Sequence, residues 1–428
     1  MRVTSLIVLG VTAAAASAQQ PATLWNRTLV HAGNAIDARG GIVAVGIGRA
    51  PCPGFPGPCP GVGGYVVVDA ATGATLRQAL PFGGPPNDIA LGPADAELLF
   101  AGPAQVRRVN DNALLQEFIS CCGSSFEAAY SADGSKVFIG TTPGAAPALY
   151  VFDRASGQQF NTFALVDFVQ AMAVSHTASL LAAADSQNNV LVFSVANPLQ
   201  EQFVRVFEDP NPWEEDDPYA AGSYILGLAF TPDGTHLATM SMARVNLWRI
   251  ADGALVRTFE SDETYPNQVS GGFYTSVAIS PDGSRLAVGG YEVIQDFMEY
   301  ADHGTATVWD VASGRVVRHY EEGLQKRVTD VDFSDDGSVL FAATAAETDA
   351  PFLLAIDLGA EPIACDTIDF NNDGLFPDNQ DLVDYLSVFG GGGCSTGNCG
   401  DLDFNNDELF PDNADIEAIF RVFGGGPC

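Results

Sequence analysis

Two six-residue segments carry the strongest chemical signal in the chain, Asp369-Phe370-Asn371-Asn372-Asp373-Gly374 and Asp403-Phe404-Asn405-Asn406-Asp407-Glu408. Each puts oxygen-bearing side chains at loop positions 1, 3 and 5: Asp369, Asn371 and Asp373 in one, Asp403, Asn405 and Asp407 in the other. Calcium needs six to eight hard oxygens, and a tight loop of alternating Asp and Asn supplies several of them together, so Ca2+ is the expected cofactor. Other chemistries are poorly represented. There is no His-Glu-x-x-His and no Gly-Lys-Ser/Thr. The five histidines, His31, His176, His236, His303 and His319, are dispersed, with His176 and His236 in or beside expected turns. Paired carboxylates of the glycosidase kind stay open, because 53 acidic residues supply many chance pairs. On balance the chain reads as a binder, with no catalytic residue assigned.

The acidic loops must be positioned by the segments next to them in the chain. Leu382, Tyr385, Leu386 and Phe389 after the first, and Ile416, Ile419, Phe420 and Phe423 after the second, are spaced for one apolar helical face, and each run stops at glycines. From Cys365 onward there are thirteen acidic residues and one arginine, and Cys365, Asp369, Asp381, Phe389 and Cys394 repeat at an offset of 34 as Cys399, Asp403, Asp415, Phe423 and Cys428. A loop with an exiting helix, present twice over residues 365–428, resembles the dockerin module of bacterial extracellular complexes and its EF-hand-type loop. That resemblance implies a cohesin-type protein receptor. It holds through loop position 6 and then departs: position 12 is Gln380 or Ala414, and the carboxylate comes one place later, at Asp381 or Asp415. The extra residue falls around Pro377-Asp378 and Pro411-Asp412, which makes Asp378 and Asp412 candidate ligands with Asp381 and Asp415. Glu408 in place of the turn glycine predicts a weaker second site. The competing reading is of acidic turns in which Asp378 or Asp381 caps a helix, held by disulfides without a metal.

Ahead of this module a fragment recurs seven times: apolar strand, Ser/Thr-x-Asp-Gly, apolar strand, variable loop, then an apolar strand ending near Asp and followed by Gly. Its clearest turns are Ser131-Ala132-Asp133-Gly134, Thr231-Pro232-Asp233-Gly234, Ser280-Pro281-Asp282-Gly283 and Ser334-Asp335-Asp336-Gly337. Four short strands per unit at this period make a propeller blade. Residues 22–364 resemble the WD40 and YVTN-type propellers, with one Trp-Asp dipeptide at Trp309-Asp310 and no Gly-His dipeptide. The expected fold is all-β, a seven-bladed propeller, joined to a small α-helical calcium-loop module at 365–428. The seventh copy lacks a fourth strand, while Thr23 to Val30 is a strand without a blade, so the N-terminal segment is expected to complete the last blade and remove the open sheet edges.

In such a meander the longest insertions, Arg49 to Gly64, Glu208 to Ser223, Asp262 to Phe273 and Tyr291 to Gly304, all fall on one face. That face would carry the candidate ligand-binding residues Trp213, Tyr219, Tyr265, Tyr291 and Tyr300, with Phe297, amid Glu214, Glu215, Asp216 and Asp217. Aromatic and acidic side chains together suit a carbohydrate or a basic peptide.

Composition narrows the partner class. A formal charge of −34 with two lysines, Lys136 and Lys326, makes nucleic acid or an anionic membrane a repulsive partner. Arg2, an apolar run from Leu6 to Ala16 and the triplet Ala16-Ser17-Ala18 read as a signal peptide over residues 1–18, which predicts a secreted or cell-surface protein without membrane insertion. Eight cysteines in that setting suggest local disulfides: Cys52 with Cys59, Cys365 with Cys394 and Cys399 with Cys428, while a bridge between adjacent Cys121 and Cys122 would be strained. The expected function is that of an interaction protein whose looped face binds a protein or glycan and whose module attaches it to an extracellular assembly. The alternative is a polysaccharide-active lyase or glycosidase targeted by the same module.

Overall fold

In the computed structural model the chain forms two compact units, one of residues 20–358 and one containing residues 359–428. Described in the first unit are residues 23–29, 32–48, 63–79, 86–92, 96–102, 104–118, 125–141, 148–165, 169–175, 177–185, 187–195, 202–207, 225–242, 244–260, 268–296, 299–320, 327–345 and 352–358. In the second they are 370–371, 379–397, 399, 402 and 419–420. The expected signal peptide lies outside the described residues.

The first unit is seven four-stranded antiparallel sheets. Blade one is β2 (Gly33–Arg39), β3 (Ile42–Gly48), β4 (Gly63–Asp69) and β5 (Thr75–Ala79). Blade two is β6 (Ile89–Leu91), β7 (Glu97–Phe100), β8 (Gln105–Arg108) and β9 (Leu114–Glu117). Blade three is β10 (Ser125–Tyr130), β11 (Lys136–Thr141), β12 (Ala148–Asp153) and β13 (Gln159–Ala164). Blade four is β14 (Val169–Ser175), β15 (Leu180–Asp185), β16 (Val190–Ser194) and β17 (Gln202–Phe207). Blade five is β18 (Gly227–Phe230), β19 (His236–Met240), β20 (Arg244–Arg249) and β21 (Leu255–Glu260). Blade six is β22 (Gln268–Ile279), β23 (Arg285–Asp296), β24 (Glu299–Asp310) and β25 (Val316–Tyr320). Blade seven combines β26 (Val328–Phe333), β27 (Val339–Thr344) and β28 (Phe352–Asp357) with the N-terminal β1 (Thr23–Thr28), which pairs antiparallel with β28. The ring is therefore closed by the strand that had no blade of its own.

Local chemistry explains the repeat. In the turn after β10, the Ser131 hydroxyl donates to Asp133 (2.7 Å), Asp133 accepts the Ser135 N–H (3.0 Å), and Gly134 takes the φ of 65° that a side chain would resist. The same lock recurs at Thr231/Asp233, Ser280/Asp282 and Ser334/Asp336. At the other turn of blades one, three and six, Asp69, Asp153 and Asp310 accept from Thr72, Ser156 and Ser313. The middle strands of blade one are mostly apolar because they are covered on both faces: Val43, Ala44 and Val45, like Val67 and Val68, are wholly buried. Seven apolar clusters result, one at each junction between neighbouring blades, from Val43, Ile36, Phe341 and Leu353 at the seven–one junction round to Tyr320, Val308, Val331 and Leu340 at six–seven.

Blade six departs from the sequence reading. Two of the four long insertions, at 262–273 and 291–304, read as loops in the sequence, yet much of both is strand. β22, β23 and β24 each run twelve residues, and β23 and β24 stay in register from Arg285↔Asp310 to Asp296↔Glu299. About six extra residues per strand carry this ribbon roughly 20 Å further on the looped side. The β-favouring Tyr291, Val293 and Ile294 favour pairing over a free loop.

In the second unit, α1 (Asn379–Phe389) is an eleven-residue helix ended by Gly390 and Gly391; Gly391 has φ 82° and donates to the Val388 carbonyl. Tyr385 packs in a small core with Phe370 and Ile419. Leu386, expected on the buried face, is exposed. The expected Cys365–Cys394 and Cys399–Cys428 bridges are also corrected: Cys394 is bonded to Cys399, with Cα atoms 5.9 Å apart. The intervening Ser395 and Thr396 turn back onto α1 and the acidic loop, which brings these two sulfurs together.

Candidate functional site

Of the ten residues predicted to bind metal, Asn371 and Asp381 are described. Asp369, Asp373, Asp378, Asp403, Asn405, Asp407, Asp412 and Asp415 lie outside the described residues. Asn371 and Asp381 are both fully buried, and the Asn371 N–H donates to Asp381 Oδ1 at 3.3 Å. Loop position 3 and the first-turn carboxylate of α1 are thus neighbours. Their side-chain oxygens suit a hard cation such as calcium. Among the described residues no group of three or more His, Cys, Asp or Glu side chains is placed to hold a metal.

Asp384, which the sequence reading passed over, organises the same site. Its carboxylate accepts Asn371 Nδ2 (3.1 Å), Gln380 Nε2 (3.2 Å), the Ser395 N–H (2.9 Å) and the Ser395 hydroxyl (2.5 Å). The Ser395 bonds, followed by those from Asn371 and Gln380, hold its pKa below the usual carboxylate range despite the opposing effect of burial. The Thr396 hydroxyl donates to the Asn371 carbonyl (2.6 Å). Asp384 was discoverable as the polar residue beside Tyr385 on the inward side of the helix. In the second repeat its place is taken by Ala418.

On the looped face of the propeller, Tyr291 is the predicted ligand-binding residue whose surroundings are visible. Its ring stacks on Phe273 across β22 and β23, with centroids 5.2 Å apart, and the Arg327 guanidinium sits 3.9 Å from its centroid. Tyr291 is partly buried and roots the blade-six ribbon against blade seven. Tyr300 lies on β24 opposite Gln295. Trp213, Tyr219 and Tyr265 fall outside the described residues, as do His31 and His176. His236 opens β19 beside its turn, as expected, with Nδ1 2.7 Å from the Thr235 hydroxyl, and His319 Nδ1 lies 2.8 Å from Thr307 Oγ1.

A second set of carboxylates went unread in the sequence. The first strands of successive blades touch one another round the ring and so line its axis. Asp330 Oδ2 accepts the Ile36 N–H (2.6 Å), Asp332 Oδ2 that of Ala38 (2.8 Å), Asp37 Oδ2 that of Leu91 (2.6 Å) and Asp88 Oδ2 that of Ala128 (3.0 Å). Glu127 likewise accepts from the Met172 backbone. Each carboxylate bonds the first strand of the next blade. All are hemmed in by protein yet keep a partly accessible face, as groups along a narrow axial channel do. Burial is the main cause that pushes Asp88 up to about 7 and Asp330 up to about 6, and it raises Glu127 and Asp332 as well. Repulsion among the acidic neighbours adds to the rise, and the N–H bonds oppose it. The legible signal was an acidic residue on a first strand where other blades carry Ala, Gly or Ser.

These features define an all-β propeller of seven four-stranded blades with a small α-helical unit attached. The chain is 33% identical over 154 residues to the WD repeat-containing protein VIP3 of Arabidopsis thaliana, a match covering 33% of this chain and 43% of the relative. The chain thus spans less than half the length of that relative. No family model matches the sequence. The similarity and the seven blades together support a propeller of the WD-repeat type.

Proposed function

We propose that this protein is an exported interaction protein: the looped face of the propeller holds a protein or glycan, and the C-terminal unit attaches it, with calcium, to an extracellular or surface assembly. The observation that carries this reading is a matched pair of exposed apolar residues. At the 34-residue offset, Tyr385 and Ile419 are equivalent and both fully buried, whereas the next residues, Leu386 and Phe420, are also equivalent and are 43% and 46% exposed. A duplicated module that served only to bury its helices against each other would have no use for a second, outward apolar pair. Val383, also exposed, extends the patch on α1.

The likeness to a WD repeat protein favours protein partners for the propeller, because such rings present loops on a rigid support. The alternative, a lyase or glycosidase, needs a converging cleft with two carboxylates or a metal. The axial carboxylates instead accept backbone N–H groups of the next blade.

The test is calorimetric titration of the full chain with calcium, disulfides intact, alongside the variant Asp381→Asn. Saturable binding near two ions, weakened at least tenfold in the variant and accompanied by a raised melting temperature of the C-terminal unit, supports the reading. Absence of binding removes the calcium-dependent attachment. Turnover on a glycan panel would favour the enzymatic alternative.

A further inference from the structure

We propose that the first-strand carboxylates of blades seven, one, two and three make the propeller a pH-sensitive ring, drawn tight when they are protonated and loosened at the seam between blades seven and one as they ionise. The placement is lopsided. At the position of Asp330, just past a β-bulge in β2, β10, β14, β22 and β26, the blades from one to seven carry Ala35, Asp88, Glu127, Ala171, Gly227, Ser276 and Asp330. Two residues on, they carry Asp37, Ala90, Ala129, Ala173, Ala229, Ala278 and Asp332. Five carboxylates therefore share one half of the axis, while blades four to six present small side chains.

The seam has the densest set. Asp330 and Asp332 both reach from β26 to β2, and the Thr329 hydroxyl donates to the Gly33 carbonyl (2.8 Å). Asp330 Oδ1 also accepts the Ser276 hydroxyl (2.5 Å) and the Val331 N–H (2.9 Å), which ties blade six into the same group. This is the junction where the ring closes through pairing of β1 with β28, without a covalent link between those strands. The titratable groups that face these carboxylates from adjoining strands are each other: Asp37 and Asp88 toward Asp330, Asp88 and Asp330 toward Glu127, and Asp37 and Asp330 toward Asp332. On the packed faces of β22 and β14 the corresponding residues, Ser276 and Ala171, carry no charge. Arg39, at the end of β2, donates to the Leu91 and Gly92 carbonyls of blade two.

The sign follows from linkage. Asp88, Glu127, Asp330 and Asp332 have folded-state pKa values above the ordinary carboxylate value, so the folded ring binds more protons than the unfolded chain between about pH 4 and 7. Their contribution to stability is fully present below that window and is lost as the pH rises through it. A lone carboxyl moved from 3.8 to about 7 changes the unfolding constant about 80-fold between pH 5 and pH 8. Because the group keeps a partly exposed face that screens it, about tenfold is expected.

The experiment is hydrogen exchange of the full chain at pH 5.5 and pH 8, corrected for intrinsic rates, with the variants Asp88→Ala and Asp330→Ser. These copy what blades four and six already carry at the same position, so the fold has precedent for both, and either one alone decides the matter if the other fails to fold. The expected result is that protection in β1, β2 and β26 falls about tenfold toward pH 8 relative to β18–β21 of blade five, and that the fall shrinks in the variants. Protection that changes equally in all blades, or a pH dependence unaltered in a folded variant, overturns the proposal.

Discussion

Trp25 ties β1 to blade one, and removing it gives a sharp test of how the seam is held. Its indole lies 5.9 Å from the ring of Phe341 in blade seven and donates from Nε1 to the Ala70 carbonyl of blade one at 3.0 Å. A Cβ on Gly73 would come within 2.7 Å of two indole carbons, and Gly73 itself sits at φ 67°. Complete loss of a buried aromatic costs about 3–5 kcal/mol; Trp25 is half-buried, so about 2 kcal/mol of packing plus about 1 kcal/mol for the hydrogen bond are expected for Trp25→Ala. Gly73→Ala should cost about 1 kcal/mol for the left-handed backbone and about 2 kcal/mol for the clash. In the Trp25→Ala background the clash is gone, so the same glycine change should then cost only about 1 kcal/mol. The double variant is expected about 2 kcal/mol less destabilised than the sum of the singles. Urea unfolding followed by circular dichroism measures the cycle without relying on the lost tryptophan. Strict additivity would refute the claim that the indole seats on this turn.

Two further outcomes concern the turns and the sulfurs. Asp282 is held down to about 2, chiefly by the Ser280 hydroxyl and then by the Ser284 N–H and hydroxyl; being depressed, it adds stability above about pH 4 that is lost as the pH falls through 2. Asp282→Ala should therefore cost about 1 kcal/mol at neutral pH and almost nothing near pH 2, measured as the difference in melting temperature from the parent. Peptide mapping by mass spectrometry under non-reducing conditions should recover Cys394 linked to Cys399, and Cys399→Ser should destabilise the C-terminal unit by about 2 kcal/mol, the loop-closure value for so short a ring. A Cys365–Cys394 peptide would refute that pairing.

The blades were legible because their turns are local chemistry: Ser or Thr, Asp and Gly in fixed order lock a hairpin whatever surrounds it, and the missing fourth strand of the last copy pointed to Thr23–Thr28. The ribbon of blade six was missed because strand and loop differ there only in whether a partner is present, which no single segment declares. Asp384 was overlooked for a related reason. On a short helix an aspartate reads as solvated, and its partner Ser395 belongs to a glycine-rich tail whose path depends on the Cys394–Cys399 bond. The axial carboxylates each look like one more acid in an acidic protein. Their meaning comes from ring geometry, which aligns Asp37, Asp88, Glu127, Asp330 and Asp332 although they are spread over nearly the whole propeller sequence.

Closure by β1 also sets an order of events in time. The first strand of the propeller to leave the ribosome pairs with the last to be made, Thr28 opposite Phe352. Blades one to six can each form from neighbouring sequence as they emerge, but the circle stays open until the seventh is complete. Until then Thr23–Thr28 is an unpaired strand awaiting its partner, and β28 has a vacant edge that any similar segment could occupy. The step that finishes the fold is therefore also the one most exposed to a wrong partner, including β1 from a neighbouring copy of the same chain.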